Sequence, residues 1–170
     1  MQLPWFYRAF LHELHTRQIR YLLVGGYAVR YHGYVRETRD LDIWTPTDHA
    51  DPAKVCELCR EVFELPDLPV EPFATEWRIV HLTRAPSHAE IQLPIIGARP
   101  KVLAELAGSS THVEILTIQS GVDFKSCYAA RVMARVDGVP VSIVSLPHLK
   151  IIKGITFGRE KDRDDLAHLP

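Results

Sequence analysis

Cysteine is scarce: the chain has three, an odd number that builds no disulfide framework. Long apolar runs are missing, and nothing approaches the roughly 18 consecutive residues of a membrane span. Charge of one sign is missing too. Twenty Lys and Arg against 21 Asp and Glu leave a formal net charge of −1. No global basic surplus therefore marks a nucleic-acid binder, although a local patch is not excluded. Internal repeats and low-complexity segments are absent. The opening, MQLPWFYRAFLHEL, has no basic leader, and His12 and Glu13 interrupt its apolar residues. No signal peptide is expected. These absences point to an intracellular, reduced, cytoplasmic protein with no membrane partner.

What is present is ordinary for a globular chain: 170 residues, 46% hydrophobic and 24% charged. That length suits one domain over residues 1–170 with a real core. Residues 4–18 read as an amphipathic helix starting near Pro4, with Trp5, Leu11 and Leu14 along one face. The run RYLLV at 20–24 reads as a buried strand ending in a turn at Gly25-Gly26. One or two helical turns follow over 27–33, closed by Gly33. DLDIW at 40–44 alternates like a strand. Asp51-Pro52 reads as an N-cap followed by Pro at the first helical position of a helix reaching about Leu65. Pro66 to Pro72 reads as a loop.

Residues 77–83 and 88–93 read as a pair of strands across a turn at Pro86-Ser87, and 99–107 read as a helix ended by Gly108-Ser-Ser. VEILTI at 113–118 is another strand. Segments 131–136 and 139–145 flank Asp137-Gly138, the strongest hairpin signal in the chain. From Leu146 onward two short helices break at Gly158. Helices and strands interleave, so the class is α/β or α+β.

The segment that carries chemistry is VGGYAVRYHGYVRETRDLDI, Val24 to Ile43. One strand delivers a glycine pair and the next delivers Asp40 and Asp42. Residues two apart on a strand project from one face, so both carboxylates aim at one spot. Close carboxylates repel unless a cation lies between them. Hard oxygen donors suit Mg²⁺ or Mn²⁺, with substrate phosphates completing the coordination. Gly25 and Gly26 let backbone come close to a phosphate, and the helix that follows offers free N–H groups to it.

An apolar residue, Gly-Gly, a gap of about a dozen residues (thirteen here) and then Asp-x-Asp resembles the signature of the DNA polymerase β-like nucleotidyltransferase superfamily. The string HGYVRETRDLDI resembles small bacterial and archaeal members of the AbiEii-type and minimal nucleotidyltransferase-like groups. The similarity resumes in VEILTIQSGVDF and in SLPHLKIIKGITFGREKDRDDLAHL. Residues 66–111 match nothing in the pattern. The resemblance implies a nucleotidyltransferase fold, with a mixed central sheet flanked by helices. It implies that Gly25 and Gly26 cradle phosphate and that Asp40 and Asp42 bind metal. It assigns a third acid to a neighbouring strand. Glu114 sits at that position, where Asp is the commoner residue, and Glu90 is its rival. Glu114 is favoured because the residues after it continue the pattern. Lys153 and Asp162 match a late Lys and Asp. Lys153 would neutralise nucleotide phosphate, or else be a solvated helix residue.

The function so implied is transfer of a nucleoside monophosphate from an NTP to an acceptor. The acceptor is left open between an RNA end, a protein hydroxyl and a small molecule. The resemblance also leaves room for a toxin–antitoxin role, an antitoxin partner or a homo-oligomer. The alternative is an inactive nucleotide-binding or interaction module, and a third reading is a phosphohydrolase. Other signals are discounted. Cys56-x-x-Cys59 falls inside a helix with no second pair to complete a zinc site. His12 and His15 have no evident third ligand. His32 either approaches the site or supports the end of its helix. His112 shares a strand face with Glu114. Arg36 and Arg39 flank the acids, Arg39 facing away from Asp40. Arg159 and Lys161 read as solvated.

Overall fold

Pro4 is the N-cap of the first helix, α1 (Trp5–Thr16), because a ring without an N–H costs nothing at a helix start. The buried face of α1 is led by Phe6, Tyr7, Phe10, Leu11 and Leu14. Trp5 stays half-buried at the margin, edge-on to Phe6. The computed structural model describes residues 1–84, 111–155 and 159–170. The expected strand at 88–93, its turn at Pro86-Ser87, the helix at 99–107, Glu90 and Gly158 lie outside them.

Among the described residues six strands form one sheet: β1 (Leu22–Leu23), β2 (Asp40–Trp44), β3 (Ile79–Arg84), β4 (Thr111–Leu116), β5 (Val132–Val136) and β6 (Val139–Ile143). Their order is β3-β4-β2-β1-β6-β5. The sheet is mixed: β2 runs parallel to β4 and β1 parallel to β6, and the other three pairings are antiparallel. This is the mixed α/β architecture expected. The run at 20–24 yields only a two-residue strand, because α2 (Gly25–Tyr31) already begins at the glycine pair. The Asp137-Gly138 hairpin forms as read. Val136 pairs with Val139, and both turn residues have positive φ (50° and 86°), the geometry that turn chemistry requires.

Alternation in the strands divides the sheet into two faces. Leu41, Ile43, Val113, Ile115 and Leu82 are buried on one of them. α1 packs on β6 and α3 (Asp51–Phe63) packs on β3. The two helices meet through Phe6, Phe10 and Phe63, so the pair spans the sheet. Asp51 is not the N-cap of α3. That place is Ala50's. The Asp51 carboxylate instead accepts hydrogen bonds from the Arg20 backbone N–H (2.8 Å) and the Arg20 guanidinium (2.9 Å). A charged donor outcompetes a lone helical N–H.

Glu71 and Pro72, read as the end of a loop, instead open a single helical turn, α4 (Glu71–Ala74). A short helix not foreseen, α5 (Phe124–Ala129), starts at Asp123, whose side chain accepts from the Ser126 N–H. The chain closes with α6 (Leu146–Ile155) and α7 (Glu160–His168), which pack on each other. No helix among the described residues is long and apolar enough to cross a membrane.

Candidate active site

Three elements build the site. β2 carries Asp40 and Asp42, and the parallel strand β4 places His112 opposite Asp40 and Glu114 opposite Asp42. Register partners share a sheet face, so both aspartates and Glu114 stand on the face opposite the Leu41 and Ile43 core. α2 starts on the other side of Asp42. The Val24 N–H donates to the Asp42 carbonyl (3.0 Å), which brings the glycine pair against the carboxylate.

The glycines are needed for that approach. A Cβ on Gly25 would lie 1.9 Å from Asp42 Oδ2, and its φ of +59° disfavours any other residue. A Cβ on Gly26 would lie 2.2 Å from the Thr38 hydroxyl. The Gly26 N–H, expected on a phosphate, hydrogen-bonds the Asp42 carboxylate.

The electrostatics of this corner are costly. The Asp42 carboxyl is pushed up from 3.8 to about 6. Burial is the main cause. The charges of Glu114 and Asp40 add to it, and the Gly26 hydrogen bond and the Lys153 charge oppose it. An acid crowded by two like charges is ready to welcome a cation.

Tyr7 is a member of this corner that the sequence did not flag. Its hydroxyl donates to the Arg39 carbonyl (2.6 Å) and accepts from the His112 N–H (3.3 Å). It thus ties the residue before β2 to the start of β4, and with them the register of Asp42 and Glu114. Burial pushes the Tyr7 phenol up to about 12, with the nearby Asp40 and Asp42 charges adding to it and the His112 backbone hydrogen bond opposing it. The phenol therefore stays protonated. The signal in the sequence was weak: one tyrosine on the core face of a helix.

Lys153, on the last turn of α6, is buried. Its ammonium is paired with Asp162 and, at 2.9 Å, with Asp165. Arg36 forms a two-pronged pair with the same Asp165. Lys153 still acts on Asp42 through its charge, but its hydrogen bonds hold α7 in place. Tyr34 extends this seam, donating to Asp164 (2.6 Å) and stacking on His168 at 4.5 Å.

The remaining candidates resolve individually. A ring nitrogen of His32 lies 2.7 Å from the Val144 carbonyl, so it supports the end of α2. Arg39 is exposed. The three cysteines are free and buried, and burial raises all three thiols, Cys127 to about 11. His12 lies 3.5 Å from the Thr16 hydroxyl. Among the described residues no group of three or more His, Cys, Asp or Glu side chains is arranged to hold a metal ion. An open cleft of about 520 Å³ lies at the far end of β2, lined by Trp44, Glu76, Phe124 and Lys125. Trp44 shares the sheet face of Asp40 and Asp42 and meets Phe124 edge-on at 5.2 Å.

The sequence matches no family model and no curated protein. The structure is similar to the crystal structure of an antigenic nucleotidyltransferase-like protein from Paracoccidioides brasiliensis. The TM-score is 0.52 at 16% identity, over 94% of this chain and 71% of that one. The fold is therefore nucleotidyltransferase-like.

Proposed function

We propose that this chain is a metal-dependent nucleotidyltransferase that moves a nucleoside monophosphate from an NTP to a hydroxyl-bearing acceptor. The observation that supports this best is the register that sets Asp42 beside Glu114 and two residues from Asp40, on one sheet face and against the glycine pair that opens α2.

The donor set fits Mg²⁺ or Mn²⁺. These are three hard carboxylates, one of them held unusually proton-loving by burial first and by the charges of the other two next. Such an ion needs only one or two protein carboxylates, with water and substrate phosphates as its other ligands. Among the described residues no three-residue cage is preformed, which is compatible with an ion that arrives with the nucleotide. When bound, the ion would neutralise phosphate charge and activate the acceptor hydroxyl. Asp40 and Asp42 would hold it in place. Glu114, on the neighbouring strand, would complete the carboxylate set that holds the ion, and the acceptor's proton would leave to solvent water. The acceptor oxygen bonds the α-phosphorus as the bond to the pyrophosphate oxygen breaks, so charge and mass balance without a further reactant. Lys153 lowers the cost of the negative cluster from a distance. The acceptor class, an antitoxin partner and cytoplasmic residence belong to the same proposal.

Calorimetry with a non-hydrolysable NTP analogue and Mg²⁺ tests the binding half of this reading. Wild type is expected to bind the pair together. Asp40→Asn/Asp42→Asn is expected to lose at least tenfold in affinity, as removal of metal-orienting groups commonly does. Equal binding by both proteins would count against the acids as the site.

A further inference from the structure

Glu114 stands between two neighbours. β2 sets Asp42 on one side of it, and β3, antiparallel to β4, sets His81 directly opposite on the other. Directly opposed side chains on one face have Cβ atoms about 5 Å apart. The contact is made: His81 Nδ1 lies 3.0 Å from Glu114 Oε1. A carboxylate only accepts, so Nδ1 carries the proton.

β3 is a fixed platform for this histidine. It pairs with β4 along its whole length, and Thr117 staples its approach, accepting from the Arg78 N–H at 2.9 Å and donating to the Thr75 carbonyl at 2.8 Å. Glutamate has one more rotatable bond than aspartate, so an unrestrained Glu114 would sample many positions. The hydrogen bond engages one oxygen and leaves the other available to a cation.

We propose that His81 is a positioning residue that orients Glu114 for the cation. This rests on the metal-site reading above. The side chain is 67% exposed, so its replacement should leave the fold intact.

The test is Mn²⁺ alone, titrated into the full chain and followed by electron paramagnetic resonance. Wild type, His81→Leu, His81→Gln and Asp42→Asn are compared, with thermal midpoints measured alongside. Removing an outer partner of a ligand typically weakens metal binding by about tenfold or more. His81→Leu is expected to lose about tenfold in Mn²⁺ affinity. His81→Gln, which keeps an N–H donor, should stay within about threefold of wild type. Both midpoints should match wild type. If His81→Leu binds like wild type, or His81→Gln fails as badly as His81→Leu, the positioning role is wrong and the metal site stands. If wild type binds no better than Asp42→Asn, the metal site itself is wrong and the inference falls with it.

Discussion

Asp42→Asn is expected to stabilise the metal-free protein. The carboxyl is raised from 3.8 to about 6, by burial first and by Glu114 and Asp40 next. At about 1.4 kcal/mol per tenfold in proton affinity, keeping it ionised above pH 6 costs about 3 kcal/mol. Asn removes the charge and keeps an oxygen for the Gly26 N–H. For a chain of this size 1 kcal/mol moves the midpoint by about 2–4 °C, so a gain of about 6–12 °C is expected near neutral pH.

The sign of the pH dependence follows from linkage. A carboxyl raised in the folded state binds protons more tightly there than in the unfolded chain. Its stabilising protonation is complete below 3.8 and is lost as pH rises through about 6. The advantage of Asp42→Asn should therefore be full above about pH 6 and vanish below about pH 4. Denaturant melts across that window check it. A variant no more stable than wild type at neutral pH would mean that the corner is not under electrostatic strain.

Asp165→Ala is expected to move stability in the opposite direction. The Asp165 side chain is fully buried. Burial alone would raise its carboxyl, but the hydrogen bonds and charges of Arg36 and Lys153 outweigh that and hold it below its ordinary value. Deleting it takes the two-pronged partner from the half-buried Arg36 guanidinium, which keeps the Glu37 carbonyl, and removes one of the two carboxylates paired with the buried Lys153. Breaking a buried pair this way costs about 3–5 kcal/mol, or about 10 °C in midpoint. Asp164→Ala is the control. Its partner Tyr34 and its ion pair with His168 lie nearer solvent, so the loss should stay near 1 kcal/mol. Acid should mimic the first variant. A depressed carboxyl gives stability above its unfolded value, and that stability is lost as pH falls through the lower folded one. Equal melts for Asp164→Ala and Asp165→Ala would show that the seam to α7 is not held by this network.

The parts of the site that were legible in the sequence are those written in consecutive residues. Gly25-Gly26 follows a buried run, Asp40 and Asp42 alternate with apolar residues, and Asp137-Gly138 needs two positive φ angles. Each is a local demand on φ, ψ or side-chain direction. What stayed hidden depends on strand register and on helix placement. Nothing adjacent to His81 announces that β3 lays it against Glu114. Tyr7 resembles any aromatic on a core face until β2 and β4 pass its hydroxyl. Lys153 could be read as free for phosphate because Asp162 and Asp165 come from a helix that folds back after a break. Asp51 followed by Pro carries a cap signature, but Arg20, distant in sequence, offered the stronger partner.

Transfer itself is the most direct test of the central claim. The purified protein is incubated with each NTP, labelled in separate reactions at the α- or the γ-phosphate, with Mg²⁺ or Mn²⁺, cellular RNA and lysate protein. The account predicts α-label on an acceptor, γ-label in pyrophosphate, and neither with Asp40→Ala/Asp42→Ala. Released inorganic phosphate with no labelled acceptor would make the protein a phosphohydrolase. Intact NTP under every condition would contradict nucleotidyl transfer and leave the carboxylates as parts of a binding module.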